Sequence, residues 1–176
     1  SPLSRAELKS AVDACIKLSA RGDCANGPHG PIEDWDVSRV TDMNRMFSST
    51  RFFNCDLSKW DVSKVNTMIS MFNGATSFNG DVSKWDVSKV INMNYMFSQA
   101  KSFKRLLCGV YWIKSNARKT RMFTGSSGRM CTVTLTSITQ VKRAVVECLQ
   151  LSPKGDSPNS RHGPVEEWDV SQITDM

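Results

Sequence analysis

Residues able to do chemistry are few in this chain, and their spacing argues against catalysis. Cys15, Cys108 or Cys131 could act as a nucleophile only beside a histidine and an orienting acid. The two histidines, His29 and His162, both sit in an His-Gly-Pro turn, where a backbone-capping role is expected ahead of pH sensing, and nothing in the sequence places either near a cysteine. No enzyme activity is expected. The six cysteines form no C-x-x-C pair and no Cys/His cluster, so structural zinc is not expected either. Asn54-x-Asp56-x-Ser58 and Asn79-x-Asp81-x-Ser83 place oxygens at alternate positions, as calcium loops do, yet the bidentate Glu and the Gly of an EF-hand are missing. Turn chemistry, with no metal and no cofactor, is the expectation.

The remaining candidates are polar rows. Asp36, Asp61 and Asp86 recur beside Ser38, Ser63 and Ser88 and beside the bases Arg39, Lys64 and Lys89. Stacked on successive turns, they would form a charged docking face. They would also serve structure, the Asp and Ser capping short helices and the bases balancing stacked acids. The two roles are compatible. The tryptophan and methionine rows are expected in the core, not as stacking platforms for sugars or single-stranded nucleic acid.

Two periods must position these residues. The short one is 25 residues: Trp35, Trp60 and Trp85 each open W-D-V-S-(K/R)-V and are followed by M-x-x-M-F at Met43/Met46/Phe47, Met68/Met71/Phe72 and Met93/Met96/Phe97, with Phe53, Phe78 and Phe103 in register. The long one is 133 residues, laying Ser4–Met43 over Ser137–Met176 without a gap and matching Cys15 to Cys148, His29 to His162 and Trp35 to Trp168. One cassette and the opening of a second are present, and a longer parent chain is expected. Cys24 becomes Ser157 in the second copy, so a Cys15–Cys24 bridge is not required by the cassette and Cys15 reads as a small buried hydrophobe.

Each cassette opens with a helix signal. Ser4-x-x-Glu7 and Ser137-x-x-Gln140 fit the capping box, and Leu8, Ala11, Val12, Cys15 and Ile16, like Val141, Ala144, Val145, Cys148 and Leu149, follow a helical stripe. Within a unit, Trp60 and Val62 alternate with Asp61 and Ser63 as in a short strand. Val65, Met68, Met71 and Phe72 then fall at helical spacing, and Gly74, Phe78, Asn79 and Asp81 return the chain to the next Trp. After Phe103 the pattern changes and residues 104–130 read as a C-terminal cap, with a turn at Gly125–Gly128 and strand-like alternation at Cys131, Val133 and Leu135. The resulting organisation is a capping helix and loop over 1–34, three repeats over 35–109, a cap and linker strand over 110–136, and the start of a second cassette over 137–176.

Composition adds exclusions. A net charge of +6 with a pI near 9.1 comes from dispersed bases that never run to five together, which gives no nucleic-acid signature. No apolar run reaches the roughly 18 residues of a membrane span, and the opening residues lack the apolar stretch of a secretion signal.

The segment D-(L/V)-S-K-W-D-V-S-K-V-x-x-M-x-x-M-F-x-x-A-x-x-F-N resembles the repeat of BspA-like leucine-rich-repeat surface proteins, most specifically over residues 35–103. The flanks, through Leu107-Cys108-Gly109 and Met122-Phe123, are similar to long multi-cassette versions in microbes and protists. The resemblance implies an α/β repeat solenoid of the leucine-rich-repeat kind, with short parallel strands, short helices and an N-terminal capping helix. It also implies a place at the cell surface or outside the cell, and a role in adhesion. The expected function is non-catalytic recognition of a protein or glycan, with neighbouring cassettes as further partners and Arg51, Phe52, Thr76 and Lys101 as variable contact positions. A structural spacer and an accessory module of an enzyme elsewhere in the chain are the alternatives.

Overall fold

The structure, a computed structural model, describes residues 4–131. The helix signal at the start is met: α1 spans Arg5–Leu18, the Ser4 hydroxyl accepts the Glu7 N–H at 3.2 Å, and Leu8, Val12 and Cys15 are buried. The second capping box and the Val133/Leu135 alternation lie outside the described residues.

The expected α/β leucine-rich-repeat solenoid, with a strand and a helix in every unit, is not what forms. Besides α1, the described residues hold a single 3-10 turn at Ile32–Asp34 and a four-residue helix α2 at Val110–Ile113. Their one sheet is a parallel pair of two-residue strands, β1 at Leu106–Leu107 and β2 at Arg129–Met130. Among the described residues, units are further joined by single parallel bridges, Asp42 to Thr67, Thr67 to Asn92 and Asn92 to Arg118.

Backbone geometry explains why the helical stripe does not become a helix. Arg45, Ser70, Tyr95 and Arg121 have φ between 54° and 59°, and Ser49, Gly74, Gln99 and Gly125 between 57° and 75°. Two left-handed residues per unit, four apart, interrupt any right-handed helix. Donors are then divided. Met46, Ser48 and Thr50 donate to the carbonyl three residues back, while Arg45, Phe47 and Ser49 donate across to Ile69, Met71 and Asn73 of the next unit at 2.9, 2.8 and 2.7 Å. The alternation satisfies the backbone with turns inside a unit and bonds across to the next.

The expected strand at Trp60–Val62 is replaced by a side-chain link. The indole N–H of Trp60 donates to Ile32 O, that of Trp85 to Leu57 O and that of Trp112 to Val82 O, each at 2.9 Å. Trp112 arrives two residues later than the 25-residue spacing, with α2 taking up the extra length, yet it is fully buried and fills the same place. Gly109 permits the close approach here, because a Cβ on it would lie 2.2 Å from Ser83 O.

Inside, the phenylalanines make two columns. Phe47, Phe72, Phe97 and Phe123 stack at 5.4, 5.5 and 5.7 Å, and Phe53, Phe78 and Phe103 at 5.9 and 5.9 Å, with nearly parallel planes. Each column touches the other within a unit, Phe72 and Phe78 at 4.0 Å. Val62, Val65, Met68 and Met71 and their repeats surround them, all buried.

Gln99 is an exposed side chain at a left-handed position where the units on either side have Gly74 and Gly125. Gln99→Gly should relieve a penalty of roughly 1–2 kcal/mol while costing some chain entropy, for a net gain of about 0.5–1 kcal/mol. Gly74→Ala should lose about 1 kcal/mol. Urea denaturation of both variants reads the two signs.

Candidate recognition surface

The tetrad Asp-(Val/Leu)-Ser-(Lys/Arg) occurs five times, at Asp36, Asp56, Asp61, Asp81 and Asp86, and every copy folds identically. In each, the carboxylate Oδ1 accepts the N–H of the serine two residues on, at 2.9–3.0 Å. These are Asx turns at the surface rather than helix caps, since no helix follows them. Asp36 and Asp61 are exposed, Asp86 half-buried, and Arg39, Lys64 and Lys89 exposed.

The rows do lie on neighbouring turns. Hydrogen bonds from the Ser63 hydroxyl and backbone hold the Asp61 carboxyl below its ordinary range, assisted by Lys64, while the charge of Asp36 pushes it the other way. Asp56 is likewise lowered, by the Ser58 backbone and hydroxyl and by Lys59, against the opposing charge of Asp81. Partial burial raises Asp81, but Ser83, Arg105 and Lys84 together bring it below its ordinary range. A second acid–base row, Asp56 and Asp81 with Lys59 and Lys84, therefore runs beside the first. The sequence signal for it was the repetition of the tetrad within a single unit.

Asn54 and Asn79, considered above as calcium-loop starts, spend their side-chain oxygens on the protein. Asn54 Oδ1 accepts the Asn79 N–H at 2.8 Å, and Asn79 Oδ1 accepts the Lys104 N–H at 3.2 Å. Asn44 and Asn94 do the same for Ile69 and Thr120, both at 2.9 Å. Among the described residues no three His, Cys, Asp or Glu side chains are grouped as metal ligands.

A cleft of about 620 Å³ separates α1 from the first unit, with Ala11 and Ala14 on the helix side and Glu7, Ser10, His29, Asp34, Trp35 and Asp36 around it. Asp36 thus belongs to both the row and the cleft. The Trp35 indole N–H is engaged by the carbonyls of His29 and Gly30, at 2.9 and 3.1 Å, and the His29 ring stands edge-on to it at 5.9 Å. Trp35 is therefore fixed as a wall, and Lys59 pairs with Asp34 at 3.7 Å. Sequence reasoning placed His29 in a turn but did not foresee the cleft, which arises only when α1 packs over that turn.

Two disulfides are present among the described residues. Cys15 is bonded to Cys24 and Cys108 to Cys131, with Cα–Cα distances of 5.5 and 4.8 Å. Cys15 is thus more than a small core residue. Cys55 is a free thiol, and burial, followed by the charges of Asp23, Glu33 and Asp56, pushes it up to about 11. It stays protonated at neutral pH and is a poor nucleophile.

The depressed carboxyls set an acid limit. Asp56, Asp61 and Asp81 titrate lower in the folded chain than at their ordinary value of 3.8, so the folded state binds fewer protons. Their contribution is complete above that value and is lost as pH falls through the folded values. Urea midpoints should be level from pH 7 to 5 and fall by pH 3, and Asp56/Asp61/Asp81→Asn, which keeps the turn acceptor, should flatten that drop.

A repeated stack with charged rows and two disulfides fits a repeat-protein class, and a family comparison agrees. The family model described as "Mycoplasma protein of unknown function, DUF285" matches residues 18–133, and the chain belongs to that family. No curated protein and no solved structure matches it. No helix among the described residues is long and apolar enough to cross a membrane.

Proposed function

We propose that this chain is a non-catalytic recognition module of a surface protein, akin to the BspA-like leucine-rich-repeat surface proteins in its repeat sequence, that contacts a protein or glycan through its charged rows. The observation that carries the reading is the fivefold Asx-turn tetrad, which holds each carboxylate in one repeated geometry with an exposed base three residues on. Rigid, evenly spaced charges suit the addition of many modest contacts. The two disulfides support an oxidising environment, as at a cell surface or outside the cell. Adhesion is the biological role this chemistry serves best.

The test is binding of the full chain to a protein-and-glycan array, beside the Asp36/Asp61/Asp86→Asn variant. Asparagine preserves the turns and removes only charge, so a folded variant that loses binding at least tenfold supports the rows as the contact face. Arg39/Lys64/Lys89→Gln should separate acidic from basic ligands. The spacer reading draws on the unbroken phenylalanine columns, which would stiffen a long array, and it expects no saturable ligand.

A further inference from the structure

Among the described residues the stack is covered at one end and open at the other. At the α1 end, Arg5 substitutes for a preceding unit: its Nε and Nη2 donate to Asn44 O at 3.3 and 3.0 Å, the role that the Arg45 N–H plays for Ile69 O one unit later. Leu8 and Val12 cover the apolar edge there.

At the far end nothing equivalent occurs among the described residues. The N–H groups of Arg45, Phe47 and Ser49, then of Ser70, Phe72 and Gly74, then of Tyr95, Phe97 and Gln99, all reach carbonyls of the next unit. The next set is Arg121, Phe123 and Gly125, and their amides meet no described acceptor. Phe123 stacks on Phe97 and also packs against Phe103, and no described ring lies beyond it. The edge therefore offers three donors at alternate residues beside a partly exposed aromatic ring, the kind of edge that proteins cover.

The occupant is identified by the sequence that follows. Residues 132–136 span at most roughly 17 Å, which keeps the next segment close to this edge. Thr132, Thr134 and Thr136 carry acceptors at the same alternate spacing as the donors. Beyond them, 137–149 copies α1 position by position. The buried stripe Leu8, Val12, Cys15 returns as Val141, Val145, Cys148. The adjoining stripe of α1 is polar, with Arg5 bonded to Asn44 O and an exposed Lys9–Asp13 ion pair, and in the copy it reads Ile138, Lys142, Val146. On α1 that stripe is at least partly exposed to solvent. Two apolar replacements on it suit a helix with a second partner on that side.

The geometry points to the open edge at Arg121, Phe123 and Gly125 as the docking surface for segment 132–149, so that successive cassettes abut end to end instead of hanging on a linker. Ile138 and Val146 are the apolar residues, and Thr132, Thr134 and Thr136 the acceptors, that this docking would use. The same substitution removes the arginine that covers the α1-end edge in the first cassette.

Hydrogen exchange on the full 176-residue chain tests this. The Arg121, Phe123 and Gly125 amides should be protected, and Ile138→Arg/Val146→Asp, which restores the residues of α1, should speed their exchange at least tenfold while leaving the Phe72 and Phe97 amides unchanged. Val146→Leu should retain the protection. Edge amides that exchange at unprotected rates in the native chain, or that keep their protection in the double variant, would overturn the assignment. Protection that grows with protein concentration would overturn it too, giving the edge to a second copy.

Discussion

Phe72→Ala is expected to destabilise the protein by about 4 kcal/mol, within the range of roughly 3–5 kcal/mol for emptying a buried phenylalanine site. Its ring lies between Phe47 and Phe97, at 5.4 and 5.5 Å, against Phe78 at 4.0 Å and beside Trp85 at 6.3 Å. One substitution therefore breaks one column and removes its contact with the other, and rings on either side lose a face that neighbours cannot refill in a close-packed core. Because whole domains are stable by only about 5–15 kcal/mol, the variant should be at or near the margin of folding at 37 °C. Phe123→Ala is the control: that ring is partly exposed and has a stacked neighbour on one side, so the loss should be about half as large. Denaturant unfolding of both reads the difference, and equal losses would mean that the columns do not act as a continuous core.

The second large effect is expected from the Cys108–Cys131 bridge. Its ends are 23 residues apart, and opening a loop of that size frees denatured-chain entropy worth about 3.5 kcal/mol. Cys131 N–H also bonds Leu107 O at 3.1 Å beside the β1/β2 pair, so the bridge fastens a contact of only two residues per strand. Cys108→Ser/Cys131→Ser should lower the melting temperature by roughly 10 °C. The shorter Cys15–Cys24 loop, nine residues apart, should cost less, about 2.5 kcal/mol. Calorimetry of both double variants, with bridge formation in the parent checked by mass spectrometry under non-reducing conditions, tests the order.

What could be read from the sequence was what repeats. The 25-residue period placed Trp60, Val62, Met68, Phe72 and Phe78 in one core, and all are buried. The Ser4-x-x-Glu7 signal and the stripe through Leu8 and Val12 located α1. The form of each unit was not legible in the same way, because the spacing of Val65, Met68, Met71 and Phe72 suits a helix as well as it suits a series of turns. The residues that decide between them are left-handed, yet Arg45, Ser70 and Tyr95 carry no glycine to announce it, and only Gly74 and Gly125 hint at the second position. Indole N–H bonds to carbonyls 28 or 30 residues earlier replace strand pairing, and no periodicity argument distinguishes the two. The acid rows were visible as residues. Turn chemistry was expected at Asp56 and Asp81 and holds for all five acids, whereas the part Asp36 plays in the cleft under α1 depends on packing between segments that the chain order keeps apart.

Recognition through repeated charge has a distinctive signature, because each unit should add its own share. The direct measurement is titration of the full chain, and of its Asp36→Asn, Asp61→Asn, Asp86→Asn and triple variants, against the protein and glycan ligands retained on the array, at low and moderate salt. The charged-row account predicts a graded loss from single to triple variant and weaker binding as salt rises, with every variant unfolding at a urea midpoint close to the parent's. A folded triple variant that binds as tightly as the parent, or a folded parent that retains no ligand at all, would contradict it.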